Sequence, residues 1–329
     1  MTEPGLVSVV VPAFNVAPWI ADCVASVLGQ TYRELELLVI DDGSTDGGGE
    51  IARHSAVGDD RASVIRTRNA GLAAARNEGL DAARGDWVAF VDGDDWVAPD
   101  YVERLVRGAL AWGSDITVCG HWEASERGWL RECPITGQPV AVGPRDAVRR
   151  MLTGGGGQLV AWNKLYRASL FRESGVRYPV GRLYEDAFTT YRLLGTARRV
   201  AYLDKPLYFY RRRSGSITLR RVDRQVVDDN LAMLAELEAW LAEHAPGLET
   251  ELDRFQVAAR VHVLFRMAGC RSRDWDAWEA VSGWLTQHLD ALVGNRFVGG
   301  RTKAWLRLLA ASRPAAWAAA AVLYRAWHR

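Results

Sequence analysis

The chain has 329 residues, with 41 basic against 40 acidic side chains and 49% hydrophobic residues. That length buries a real core in one large domain or two modest ones. A charge balance this close to zero argues against a nucleic-acid binder working through a global positive field, and a charged fraction of 25% argues against wholesale disorder.

In chain order, Val7 to Val11 is an apolar, valine-rich run, as expected of a strand buried on both faces of a parallel sheet. Pro18 opens a predicted helix to Gln30, and Leu35 to Ile40 is a second strand ending in Asp41 and Asp42. A weak helix from Gly47 to Ala56, a short strand from Ser63 to Arg66 and a helix from Ala73 to Ala83 come next. Trp87 to Val91 is a strand ending at Asp92, and a helix over Tyr101 to Trp112 leads to the strand Ile116 to Cys119. This alternation predicts an α/β fold, a mostly parallel sheet with helices on both faces. Its ligands belong at the carboxyl ends of the strands.

Gly120 to Ala141 reads as a hairpin excursion, Gly154 to Gly157 as a flexible loop, and Glu185 to Gly195 as a helix. Val200 to Tyr202 and Leu207 to Tyr210 read as short strands. Beyond Thr218 the strand signals stop. Val222 to His244, Glu249 to Met267, Asp274 to Leu292 and Ala304 to Trp327 predict four helices. The expected domains are therefore 1–219 and 220–329. Cys23, Cys119, Cys133 and Cys270 form no C-x-x-C pair and have no histidine at metal-ligand spacing, which makes a zinc site or a disulfide framework improbable. With no basic leader and no apolar run of membrane-spanning length, the expected location is the cytoplasm.

Acidic clusters sit where strands end. Asp92 and Asp94, spaced by Gly93, can share a divalent cation, and hard oxygen ligands favour Mn²⁺ or Mg²⁺ completed by water and phosphate. The plain alternative is an Asp-Gly turn in which Asp95 caps the next segment. Asp41, expected to sit semi-buried with no cation beside it, can accept a hydrogen bond from a nucleobase. Asn69 and Arg76 flank a helix entry at Gly71 and can face one ligand across its first turn; the alternative is a surface arginine. Glu185 and Asp186 open a helix, whose dipole favours an ionised carboxylate suited to a general base. Arg211 and Arg213, followed by Ser216, suit phosphate oxygens.

Taken together, Val9 to Asn15, Asp41 to Asp46, Asn69 to Asn77, Val91 to Asp95, Trp162-Asn163-Lys164 and Glu185-Asp186 resemble family 2 glycosyltransferases of the GT-A fold over about residues 6–218. The resemblance implies an inverting transferase that takes a sugar from a nucleotide-diphosphate donor, most often a uridine one, with Mn²⁺ or Mg²⁺. By matching position, Pro12, Ala13 and Asn15 form the first nucleotide-contacting loop, Asp41 reads the uracil, and Asn69 and Arg76 contact the donor. Asp92 is the ribose-side aspartate and Asp94 the metal ligand. Asp186 is the base, with Glu185 beside it on the acceptor side. Arg211, Arg213 and Ser216 resemble the basic loop that closes over the diphosphate, although no histidine stands there to add a metal ligand. The implied acceptor is carbohydrate-type, in a bacterial cell-surface polysaccharide or teichoic acid, with a peptide or small molecule as the alternative. A nucleotidyltransferase and a silent nucleotide-binding module compete with this reading. The tryptophan-rich C-terminal helices are expected to form an acceptor platform, an oligomer interface or a packed cap. Arg301, Lys303, Arg307 and Arg313 offer a further contact, with an anionic membrane surface.

Overall fold

The computed structural model describes residues 5–125, 128–154, 159–213 and 221–327. The chain divides into two compact units, Met1–Arg213 and Ser214–Arg329.

The first unit is built on β1 (Val7–Ala13), α1 (Ile20–Leu28), β2 (Leu35–Asp41), α2 (Gly48–Ser55), β3 (Ala62–Arg66), α3 (Leu72–Ala82) and β4 (Trp87–Phe90). Every residue of β1, β2 and β4 is buried, which is why these strands are mostly apolar; the buried Ser8 and Glu36 are paired, the Ser8 hydroxyl donating to Glu36 Oε1 at 2.6 Å. Then come β5 (Trp96–Val97), α4 (Tyr101–Trp112), β6 (Ile116–Ser125), β7 (Leu130–Cys133), β8 (Val140–Val142), α5 (Pro144–Thr153), β9 (Lys164–Arg167), α6 (Ala168–Ser174), α7 (Glu185–Thr196) and β10 (Val200–Arg212). Among the described residues these strands form one sheet, ordered β3-β2-β1-β4-β9-β6-β10-β5, with β7 on β6 and β8 on β10.

The sheet is parallel from β3 to β4 and between β6 and β10, but β9 runs antiparallel to both of its neighbours, β4 and β6. No strand was predicted over Lys164–Arg167, because four residues bounded by Lys and Arg carry little apolar signal. Where two short strands were predicted across Val200–Tyr210, β10 is one strand with its register shifted at Pro206. Proline has no N–H to give the ladder, so the strand bulges there instead of ending. Helices α5 and α6 are additions to the expected set. The hairpin excursion is real in part: β7 folds back antiparallel on β6.

The second unit is helical: α8 (Arg224–His244), α9 (Glu249–Gly269), α10 (Trp275–Gln287), α11 (Leu289–Gly294), α12 (Gly300–Ala311) and α13 (Arg313–Trp327). Two of the four predicted helices are therefore broken, one at His288 and one at Ser312. Pro314 explains the second break, since it is tolerated only in the first turn of α13. Helix α9 packs against α8, α10 and α13. Trp278 and Trp305 are core residues, and the Trp305 indole donates to the carbonyl of Ala316 at 3.2 Å. Arg313, expected on a basic surface, pairs with Glu279 at 2.5 Å. No helix among the described residues is long and apolar enough to cross a membrane.

Candidate functional site

Beyond β4 the chain enters Asp92-Gly93-Asp94-Asp95 at the carboxyl edge of the sheet, beside the end of β1. The Gly93 N–H donates to the Pro12 carbonyl at 3.2 Å. A Cβ at Gly93 would stand 3.0 Å from that oxygen and 3.2 Å from Val16 Cγ2, a tight fit that would push the turn a few tenths of an ångström from the end of β1.

The three aspartates then part company. Asp92 accepts from Arg76 Nη2 at 2.8 Å, and the other terminal nitrogen of the same guanidinium bonds to Glu185. Arg76 is 1% exposed, so neither the expected donor-facing arginine nor the surface alternative describes it. Its charge is spent on joining the turn after β4 to the start of α7. Asp94 is partly exposed and its Oδ2 accepts from Arg213 Nε at 2.6 Å. Asp95 is buried and serves as an anchor instead of a cap. Its carboxylate accepts from the Tyr208 hydroxyl at 2.7 Å and the Arg211 N–H at 2.7 Å, tying the turn to β10. Tyr208 Oη in turn accepts from the Asp92 N–H at 3.1 Å. Burial pushes the Asp95 carboxyl well above the ordinary carboxylate range, with Asp94 and Asp92 adding to the rise.

Arg211 and Arg213, expected in a basic loop over a diphosphate, are bonded to this turn. Arg211 Nε also donates to the Asp94 carbonyl at 2.8 Å. Their guanidinium carbons lie 4.5 Å from the ring centres of Trp96 and Trp19 respectively, contacts that hold planar cations in place without consuming all their donors. Ser216 lies outside the described residues.

On the other side of β1, Asp41 is fully buried, deeper than expected. Its Oδ1 accepts from the Ser44 N–H at 2.9 Å, while Oδ2 has no hydrogen-bond partner. A cation does stand near it, contrary to expectation: Arg66 Nη1 is 3.6 Å from Oδ2. Gly49 leaves the room for this carboxylate, since a Cβ there would stand 2.1 Å from Oδ2. Asp42 organises the next loop by accepting from the N–H groups of Ala70 and Gly71 at 2.9 and 2.8 Å. Asn69 is exposed in that loop, and its backbone nitrogen lies against Gly43. Asn15, in the left-handed region at φ 51°, is exposed and accepts from the Thr45 N–H at 2.9 Å. Pro12 and Ala13 are buried at the end of β1. Asn15 and Asn69 thus stand on the loops leaving β1 and β3, and Asp41 is the last residue of β2.

Glu185 and Asp186 form the first turn of α7. Glu185 is buried against Arg76 and does not face an open acceptor side. Asp186 accepts from the Ala187 N–H at 2.8 Å. The helix dipole was expected to keep it readily ionised, but burial outweighs that and pushes its carboxyl above the ordinary value; Arg76 opposes the rise and Asp92 adds to it. Lys164, fully buried, donates to the Val160 carbonyl at 2.7 Å and to Asn163 Oδ1 at 2.9 Å. Burial pushes its amine down to about 7, with Asp186 pulling the other way. Trp162 stacks on Tyr208 at 4.5 Å and on Tyr210 at 5.4 Å.

The residues that reading the sequence passed over are Asp95, as an anchor, and Tyr208. A signal existed: with alternate residues of a strand on one face, Tyr208 and Tyr210 fall on a common face of β10.

The family model described as Glycosyl transferase family 2 matches residues 8–175, just over half of the chain. Glycosyltransferase GlyA of Streptococcus pneumoniae serotype 4 is 33% identical over 269 residues, 77% of this chain, and the alignment spans only 38% of GlyA's own length. The crystal structure of S. aureus TarS 1-349 in complex with UDP-GlcNAc superposes with a TM-score of 0.67 at 21% identity, covering 97% of this chain and 91% of that one. The mannosyltransferase PcManGT from Pyrobaculum calidifontis, in complex with GDP-Man and Mn²⁺, gives a TM-score of 0.54 at 18% identity over 100% of this chain and 89% of its own. A fold shared with these structures, a family model over residues 8–175, a relative 33% identical over 77% of this chain, and acidic turns at the sheet's carboxyl edge point one way: the chain belongs to glycosyl transferase family 2 and has the GT-A fold.

Proposed function

We propose that this chain is an inverting glycosyltransferase that moves a sugar from a uridine-diphosphate donor to an acceptor hydroxyl, with residues 1–219 as the catalytic domain. The observation that carries the reading is the Arg76 bridge. It ties a partly exposed acidic turn, Asp92 to Asp94, to Glu185 at the start of α7, the residue before the proposed base Asp186. The donor complexes of TarS and PcManGT support a nucleotide-sugar donor for a protein of this fold.

In this reading the nucleoside lies across the loops of Pro12, Ala13, Asn15 and Asn69, with Asp41 toward the base. Arg211 and Arg213 hold the diphosphate. Arg76 opposes the rise that burial imposes on the Asp92 and Glu185 carboxyls, holds both in place and does not touch the donor. The oxygen-only set of Asp94, with Asp92 beside it, fits Mn²⁺ or Mg²⁺, which use few protein carboxylates and take the rest of their shell from phosphate and water. Such an ion supplies charge neutralisation at the departing diphosphate. Asp186 takes the proton from the acceptor hydroxyl as its oxygen bonds to the anomeric carbon. The bond from that carbon to the diphosphate oxygen breaks on the opposite face, with inversion. The two arginines meet the charge that develops there.

The proposed acceptor is a carbohydrate of a bacterial cell-surface polymer, on the strength of the family resemblance. Peripheral contact with the cytoplasmic membrane face is proposed for the exposed Arg301 and Arg307 of α12, while Trp275, 49% exposed on α10, is offered for acceptor contact or self-association. Calorimetric titration of UDP, CDP, GDP and TDP, with Mn²⁺ and with chelator, tests the donor site on wild type and Asp94→Asn. Selective, metal-dependent UDP binding lost in the variant is expected. Absence of binding by every diphosphate would overturn the transferase reading, and preference for another base would overturn the uridine assignment.

A further inference from the structure

The excursion after β6 holds a cluster that the donor site does not use. His121 and Cys133 are directly opposed residues of the antiparallel β6–β7 pair, and Glu123 lies two residues along β6 on the same face as His121. One ligand atom from each, an imidazole nitrogen, a carboxylate oxygen and the thiol sulfur, lie within 4.8 Å of one another. No spacing in the linear sequence marks these residues as partners; the hairpin alone brings them together.

We propose that this hairpin binds a borderline-soft divalent transition metal of the Zn²⁺ class through His121, Glu123 and Cys133, with a fourth position open to water or a substrate atom. One nitrogen, one oxygen and one sulfur suit Zn²⁺ and disfavour Mg²⁺, whereas the oxygen-only turn at Asp94 has the opposite preference. Tetrahedral zinc geometry puts a sulfur and a nitrogen ligand about 3.5 Å apart, so closing the cluster takes side-chain rotation of about an ångström, within reach of a partly exposed cysteine and glutamate. The backbone is already set, since directly opposed residues bring their Cβ atoms to about 5 Å. His121 is 6% exposed and its ring meets the edge of Trp162 at 5.1 Å, which restricts its rotation.

Competition comes from arginine. Arg131 Nη2 holds Glu123 Oε1 at 2.6 Å, and Arg212 Nη1 stands 3.4 Å from Oε2. The metal competes with these cations for the Glu123 carboxylate and meets their positive charge, which predicts that removing Arg131 tightens binding. Metal capture deprotonates the thiol, and the proton passes to solvent.

The test is a titration of the full chain, stripped of metal, with Co²⁺ as a spectroscopic probe. Binding at one equivalent with a thiolate-to-cobalt charge-transfer band and four-coordinate ligand-field bands is expected, reversed by Zn²⁺. The band disappears in Cys133→Ser and persists in Cys270→Ser. Second-sphere losses alone weaken metal sites by about 10–100-fold, so losing a ligand in His121→Gln should weaken binding by more than about tenfold. Arg131→Ala should bind more tightly than wild type. A wild-type protein without the charge-transfer band, or a band that survives Cys133→Ser, overturns the proposal. If His121→Gln misfolds, the partly exposed Cys133 and Arg131 variants still decide it. Mn²⁺ at Asp94 has no thiolate, so failure here leaves the donor-site reading untouched.

Discussion

Replacing Arg76 by methionine tests whether one guanidinium assembles the site. The side chain is 1% exposed and is shared by Asp92, at 2.8 Å, and by Glu185, itself 6% exposed. Methionine fills much of the same volume but leaves both carboxylates without their cation. At an effective dielectric of about 20, each close pair is worth about 4 kcal/mol of attraction. Breaking a buried pair costs about 3–5 kcal/mol, and the partial exposure of Asp92 places this case near the lower figure. For a domain stable by about 5–15 kcal/mol, that is a large fraction.

The cost of the substitution depends on pH, with a definite sign. Burial raises the carboxyls of Glu185 and Asp92 while Arg76 lowers them. Without Arg76 these groups take up protons more readily, so the variant gains stability relative to wild type as pH falls. Urea unfolding and native-state hydrogen exchange of the β4 and α7 amides should show a loss of about 3 kcal/mol near pH 8 that shrinks markedly near pH 5. A loss under about 1 kcal/mol, or one that does not change with pH, would refute the reasoning.

The same geometry has other consequences. Asp186→Asn should lower turnover by about 10²–10⁴ while donor binding, read by calorimetry, survives; turnover within a few-fold of wild type would remove the base assignment. Because burial raises Asp186, wild-type turnover should fall with decreasing pH along a limb lying above the usual aspartate value of about 3.9, and a pH–rate profile flat down to that value would contradict it. Tyr208→Phe strips one donor from buried Asp95 and the acceptor from the Asp92 N–H, so chemical denaturation should show a loss of about 1–3 kcal/mol. Lys164, held at about 7 by burial, binds fewer protons folded than unfolded above that pH. Stability should therefore rise with pH from about 7 toward 10, and Lys164→Met should flatten the rise in a series of unfolding curves.

Much of the fold was open to reading before any coordinates. The valine-rich β1, the buried β2 and the short helix signals between them point to βαβ order because strands buried on both faces are mostly apolar, with the exceptions Ser8 and Glu36 paired to each other. The acidic turns at the ends of β2 and β4, and Glu185-Asp186 at the start of α7, were visible as local patterns in the chain. What one dimension could not contain was pairing across it. Arg76 reads as a donor contact or a surface arginine until α3, β4 and α7 close around it. Asp95 reads as a cap until β10 delivers Tyr208 and Arg211 to its two oxygens. His121 and Cys133 show no metal spacing until a hairpin sets them face to face. Local propensity and periodicity act over one or two turns of chain, so they determine elements and their ends. Which charge meets which counter-charge depends on contacts between segments a hundred residues apart, and those only packing decides.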